Sequence, residues 1–278
     1  MRFTKMHGCA NDYVYIDCFE NTVDDRSSLA IKISDRHTGV GSDGLILIDP
    51  SDRADCFMDM YNWDGSRSEM CGNGIRCVGK YLYDHGRVKS PIVTIDTLAG
   101  VKTLKLHIEN GVCVGATVDM GAPILTPADI PTTLSDGSLA LDCPLEVGGT
   151  TYRVTCVSMG NPHAVVVVDD PENFPVHEVG AAIEKHPAFP RKTNVAFIAR
   201  TAPNKFRIRT WERGAGETMA CGTNNCGAVV AATLLGLCDG VGEMHTNGGV
   251  LNIEWDRQND RVLMTGPAVE VFSGEFNM

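Results

Sequence analysis

Two cysteines in this sequence each stand immediately before a glycine-containing turn that runs into an apolar stretch: Met70-Cys71-Gly72-Asn73-Gly74-Ile75-Arg76-Cys77, and Ala220-Cys221-Gly222-Thr223-Asn224-Asn225-Cys226. A helix N-terminus presents backbone N–H groups outside the helical ladder and a partial positive charge, so it stabilises an anion. A thiol placed there is expected to titrate below its usual pKa of about 8.5, toward neutrality. The N–H groups of Gly72, Asn73, Gly222 and Thr223 can also cradle a carboxylate, and glycine lets the backbone approach it closely. Two thiols and two anion cradles suit proton exchange with inversion. One cysteine, as thiolate, takes a proton from one face of a carbon, and the other, as thiol, returns one to the opposite face. A cysteine is still a far stronger acid than an amino-acid Cα–H, and each pKa unit of mismatch is about 1.4 kcal/mol. The site must therefore be dry and preorganised around the charge that accumulates on the substrate. That each is merely a well-packed cap is the weaker reading even for one cysteine alone, and recurrence in both halves weakens it further.

The other cysteines read differently. Eleven is an odd count in a chain without secretory features, so most are expected to be reduced. There is no CxxC, and no His pair follows Cys71 and Cys77 or Cys221 and Cys226 at ligand spacing, so no metal site is expected. Cys18, Cys56, Cys113, Cys143, Cys156 and Cys238 lie in or beside apolar stretches, where cysteine behaves as a small hydrophobe.

The elements that must position the two thiols repeat as well. Cys71 and Cys221 are 221 − 71 = 150 positions apart, as are Asn11 and Asn161, while Thr97 and Gly100-Val101 match Thr246 and Gly249-Val250 at 149. Trp63-Asp64-Gly65 precedes the first thiol as Glu212-Arg213-Gly214 precedes the second. Strand-like runs, Tyr13 to Asp17, Leu45 to Asp49, Ile92 to Asp96, Ala164 to Val168, Val195 to Ala199 and Phe206 to Thr210, outnumber the two clear helix candidates, Gly74 to Asp84 and Asn224 to Leu237. The second helix is apolar on every face and must be buried on all sides. The expected fold is α+β: two pseudo-symmetric halves, each a curved, mostly antiparallel sheet around a central apolar helix, with the active site in the cleft between them. Residues 1–118, completed by a C-terminal strand 268–278, form the half with Cys71, and residues 119–267 the half with Cys221. Gly39-Val40-Gly41-Ser42-Asp43-Gly44 fits the dinucleotide pattern but precedes a strand-like run rather than a helix, so it reads as a turn.

Composition narrows the partners. A formal charge of −11 over 278 residues, with no Lys/Arg cluster, argues against a nucleic acid and for a small soluble ligand. The N-terminus lacks a signal-peptide core, and the longest apolar run, 227–238, is too short to span a bilayer, so a cytoplasmic protein without a membrane partner is expected. No Lys stands out as a pyridoxal anchor.

Taken together, Lys5-Met6-His7-Gly8 with Asn11-Asp12, Asn62 before Asp64-Gly65-Ser66, the Cys71 motif, Ser158-Met159-Gly160-Asn161-Pro162-His163, Thr193-Asn194-Val195 and Glu212 to Thr218 leading to the Cys221 motif resemble the diaminopimelate epimerase family nearly end to end. The resemblance implies a cofactor-independent isomerase that converts LL- to meso-diaminopimelate in lysine and peptidoglycan precursor synthesis, and a homodimer. It implies Cys71 and Cys221 as the acid/base pair, with the reacting carboxylate on the N–H groups of Gly72, Asn73, Gly222 and Thr223. Asn11, Asn62, Asn161, Asn194, Glu212 and Arg213 would bind the rest of the substrate, and His163 and Glu212 would help deprotonate Cys71 and Cys221 respectively. A distal carboxylate suits Arg213 and a distal ammonium suits Glu212. The chain departs from the family at Asn224, where glycine is usual, and at Cys9-Ala10, where Leu-Gly is common; some members carry Gln at Gly44. Rival readings are a proline or hydroxyproline racemase of the same architecture and a non-catalytic disulfide or metal-binding protein.

Overall fold

A computed structural model describes residues 1–277; position 278, the end of the expected C-terminal strand, lies outside the described residues. The chain divides into two units, Met1–Asp119 with the segment from Thr265 onward, and Met120–Met264. Each is built from the same succession of elements.

The first unit runs β1 (Arg2–Gly8), β2 (Asn11–Asp17), α1 (Arg26–Ser34), β3 (Gly44–Asp49), β4 (Cys56–Asn62), β5 (Arg67–Ser68), α2 (Gly72–Asp84), β6 (Ile92–Asp96), β7 (Lys102–Glu109) and β8 (Val112–Asp119). The chain continues through β9 (Cys143–Val147), β10 (Thr150–Ser158), β11 (Pro162–Val167), α3 (Val176–Glu184), β12 (Asn194–Ala202), β13 (Lys205–Glu212), β14 (Gly216–Thr218), α4 (Gly222–Leu234), β15 (Val241–His245), β16 (Val250–Asp256) and β17 (Arg261–Pro267), and then β18 (Val269–Glu275). The offset seen in the sequence holds for both helix pairs, 176 − 26 and 222 − 72 each being 150.

Strand pairing repeats with it. β1–β2 is antiparallel, β2–β3 parallel, β3–β4 antiparallel and β4–β6 parallel. β10–β11, β11–β12, β12–β13 and β13–β15 follow the same order. The outer neighbour differs in origin: β9 immediately precedes β10 and pairs with it, whereas β1 takes β18 from the far end of the chain. The architecture is thus α+β, mostly antiparallel, in two similar halves.

Period-2 alternation divides each sheet between two helices. Val14, Ile16, Leu45 and Leu47 pack with Leu29 and Ile33 of α1. Their counterparts Ala164, Val166, Val195 and Phe197 pack with Val179 and Ile183 of α3. On the opposite face, Tyr13, Tyr15 and Ile46 lie toward α2, Tyr15 reaching the Gly74 carbonyl at 3.2 Å. With both faces covered, Leu45–Ile48 are completely buried, which explains their unbroken aliphatic run. α4 is buried almost throughout its first three turns, as the apolar run from Cys226 requires, and buries Asn224 and Asn225 at its start, whereas α2 buries the charged Arg76 and Lys80.

Both buried helices start two residues earlier than expected, because each cysteine is the N-cap and the following Gly is already helical. α4 also stops at Leu234 rather than Leu237. Gly236, at φ 72°, adopts the left-handed turn that ends a helix, as Gly86 does at the same φ after α2. The Gly39–Gly44 run is a turn entering β3. α1 and α3 were not among the expected helices.

Candidate active site

In the first unit, Cys71 caps α2 with extended backbone (φ −130°, ψ 120°), and its sulfur accepts from the N–H of Gly74 at 3.4 Å. Its thiol donates to Asn11 Oδ1 at 3.2 Å. That amide is oriented from behind: Asn11 Nδ2 donates to Asp43 Oδ2 at 2.8 Å, and the same carboxylate accepts the N–H of Asp12 and pairs with Arg36 at 3.0 Å. Tyr13, two residues along β2 and so on the same face as Asn11, is buried; burial first and then Cys71 push its phenol well up. Asn73 accepts from Arg76 Nη2 at 2.8 Å, and Arg76, fully buried, also donates to the carbonyls of Gly72 and Pro267. Asn62, at the end of β4, donates to Ser66 Oγ at 3.0 Å.

In the second unit, Cys221 caps α4 in the same extended conformation (φ −118°, ψ 116°), but its sulfur makes no cap hydrogen bond and lies 3.4 Å from Thr223 Oγ1. Burial and then the Glu212 carboxylate push its thiol well above the ordinary range, against the opposing pull of the Thr223 hydroxyl and the Asn224 N–H. The expected lowering at a helix end is therefore reversed at Cys221: lost hydration and a neighbouring negative charge outweigh the helix dipole. Glu212, at the end of β13, accepts from Thr218 Oγ1 at 2.5 Å.

His163 is completely buried on β11, with Nδ1 3.1 Å from Asn224 Oδ1 and Nε2 2.9 Å from Asn161 Oδ1. Burial, aided by the charge of Arg213, lowers its pKa to about 3, so the ring is neutral. Asn194 joins two main-chain segments, donating to Pro162 O at 2.9 Å and accepting from Arg213 N at 2.8 Å; Arg213 Nη1 donates to Arg191 O. Within each unit the expected residues thus converge on one helix end: Asn11, Asn73 and Cys71 in the first, Asn161, His163, Asn194, Glu212 and Cys221 in the second.

Reading the sequence alone missed Asp43, Tyr13 and Asn224. The repeat held a signal for Tyr13, because 163 − 13 is 150, so it occupies the position in the first half that His163 occupies in the second. Nothing local marks Asp43, whose partner Asn11 lies 32 positions earlier in the chain. Among the described residues no group of three or more His, Cys, Asp or Glu side chains is arranged to hold a metal ion, and no helix is long and apolar enough to cross a membrane.

The sequence pattern of the family described as Diaminopimelate epimerase matches residues 3–126 and 155–271. A protein named Diaminopimelate epimerase from Acetivibrio thermocellus is 50% identical over 278 residues, covering 100% of this chain and 99% of the relative. One of the same name from Agathobacter rectalis is 49% identical over 284 residues and covers 100% of both. Among solved structures, a probable proline racemase from Agrobacterium radiobacter K84 superposes with a TM-score of 0.74 at 15% identity, over 100% of this chain and 93% of the other. A Bacillus anthracis phenazine biosynthesis protein of the PhzF family gives 0.71 at 16% identity, over 100% and 99%. At such identity these two likenesses concern the fold alone.

Proposed function

The chain belongs to the diaminopimelate epimerase family, and on that premise we propose that it is a cofactor-independent epimerase converting LL- to meso-2,6-diaminopimelate by inverting one α-carbon. The observation that carries the mechanism is the pair of thiols capping matching helices, Cys71 on α2 and Cys221 on α4. One cysteine, as thiolate, removes the α-hydrogen; the carbanion's charge spreads into the substrate carboxylate held by the N–H groups of Gly72, Asn73, Gly222 and Thr223. The other, as thiol, returns a proton to the opposite face, and exchange with solvent restores the starting protonation. The upward push on Cys221 supports its resting as the thiol, with Glu212 as the carboxylate that accepts its proton.

His163 serves Cys71 in the corresponding way. Asn11, Asn62, Asn161 and Asn194 hydrogen-bond the substrate, Arg213 takes the distal carboxylate and Glu212 the distal ammonium. Asn11, Asn62 and Asn194 each donate to a protein partner, so these three amides are oriented before substrate arrives. We read the enzyme as a cytoplasmic homodimer supplying lysine and peptidoglycan precursors.

The test is proton NMR of the reduced protein with LL-diaminopimelate in D2O, with no pyridoxal phosphate or metal added. Deuterium entering one α-carbon as the meso isomer accumulates is the expected result. Exchange with proline instead would move the substrate, and no exchange with any amino acid would overturn the reading.

A further inference from the structure

Asn224 is the third helical residue of α4 and is completely buried. Its amide spans two groups, and the polarity of one is beyond doubt. Nδ2 donates to the Val195 carbonyl at 3.1 Å, a main-chain acceptor that has no hydrogen to give. Reversing the amide would set two carbonyl oxygens against each other. The other end is therefore Oδ1, and it lies 3.1 Å from His163 Nδ1. An oxygen without a hydrogen can be satisfied by an imidazole nitrogen only if that nitrogen is N–H.

We propose that Asn224 is a positioning residue that holds His163 in the Nδ1–H tautomer, so that Nε2 carries the lone pair and is the one ring nitrogen able to accept a proton. The inference rests on the reading of His163 as an acid/base group. The ring's complete burial, and the positive charge of Arg213 as its charged neighbour, keep it neutral, and a neutral ring has a single N–H to place.

Two features of the structure bear on this assignment. Nε2 faces the Asn161 amide, with Oδ1 at 2.9 Å. With Nδ1 as the N–H, Nε2 is bare and needs the nitrogen end of that amide, so the tautomer requires the Asn161 amide turned by half a rotation from the placement with Oδ1 toward the ring, and Oδ1 faces Nε2 only when Nε2 is protonated. The first half also has no counterpart to the lock. The positions 150 residues back from His163 and Asn224 are Tyr13 and Gly74. A phenol has one O–H and no tautomer to choose, so nothing is lost when position 74 has no side chain.

The experiment is a long-range proton–nitrogen correlation spectrum of the full-length protein labelled with 15N in its histidine rings, recorded without substrate. The His163 signals are identified by their loss in His163→Gln. The expected wild-type spectrum has a protonated, pyrrole-type Nδ1 and an unprotonated, pyridine-type Nε2. Asn224→Ala should move the ring toward the other tautomer, and Asn224→Asp, which keeps an acceptor at Nδ1, should retain the first. A wild-type ring protonated at Nε2 overturns the proposal, as does an Asn224→Ala spectrum with Nδ1–H unchanged. The wild-type result needs no variant to fold. Because no turnover is involved, an Nδ1–H ring in a protein that exchanges no diaminopimelate hydrogen would sustain the tautomer assignment while the functional reading failed.

Discussion

Cys71 and Cys221 occupy the same place in two similar halves and keep different company. Cys71 hands its hydrogen to an amide oxygen held by Asp43, and its sulfur receives the Gly74 N–H. Cys221 has a hydroxyl and a carboxylate as neighbours, in a setting that drives its pKa up. A helix end contributes roughly 0.3–1 kcal/mol, and about 2 in favourable buried sites. Burial shifts a titrating group by up to about 3–5 pKa units, each about 1.4 kcal/mol. The larger effect wins at Cys221. Equal backbone positions therefore do not make equal acids: repetition sets where the sulfur sits, and the side chains around it set how tightly it keeps its proton.

Substitutions can break or sharpen that contrast. The largest effect is expected from the thiols themselves: Cys71→Ala and Cys221→Ala should each lower α-deuteration of diaminopimelate by on the order of 10³-fold or more, while Cys9→Ala keeps most of it. A comparable loss at Cys9 would mean the wrong pair has been compared. Next, Glu212→Gln removes the negative charge that disfavours the Cys221 thiolate. The alkylation midpoint of Cys221, followed by mass spectrometry against pH, should move to lower pH while turnover falls by on the order of 10²-fold. A midpoint that stays or rises would show that burial alone sets this thiol.

Stability tests the backbone side of the comparison. A Cβ at Gly74 would lie 2.7 Å from Ile46 Cδ1 and 3.2 Å from Met58 Cε. Gly74→Ala should therefore cost about 1–3 kcal/mol in urea unfolding, although alanine is otherwise the better helix former. The smallest effect is expected at the turn before Asn11. Cys9 and Ala10 are both left-handed, at φ 52° and 60°, whereas the matching turn of the second half uses Gly160 at φ 95°. Ala10→Gly should raise the unfolding free energy by about 1 kcal/mol, and Gly160→Ala should lower it by a similar amount.

What the sequence made legible was whatever it wrote twice or wrote locally. The caps, the 150-residue offset and six strands are local patterns of residue type, and the structure differs from them mainly at their ends. α1 and α3 were not legible because nine residues hold too few turns for periodicity to stand out, and Ser, Lys and Gly dilute the apolar face of each. The family resemblance named Asn11 and His163 but not what orients them. Asp43, in the turn before β3, and Asn224, on α4, act through contacts that only the folded chain creates. The Cys221 pKa was misjudged for the same reason, since the helix end is visible in the sequence and the burial of its sulfur is not.

The borrowed outer strand gives the two halves different histories during synthesis. β9 leaves the ribosome just before β10, so everything the second half needs is present once residue 264 has emerged. The first half begins earlier and must wait longer, because β1 pairs with β18, made only after the whole second half. Through that interval one edge of β1 displays unmatched N–H and C=O groups, the kind of edge that recruits other chains. The nascent protein is thus most exposed to aggregation in the half that was translated first.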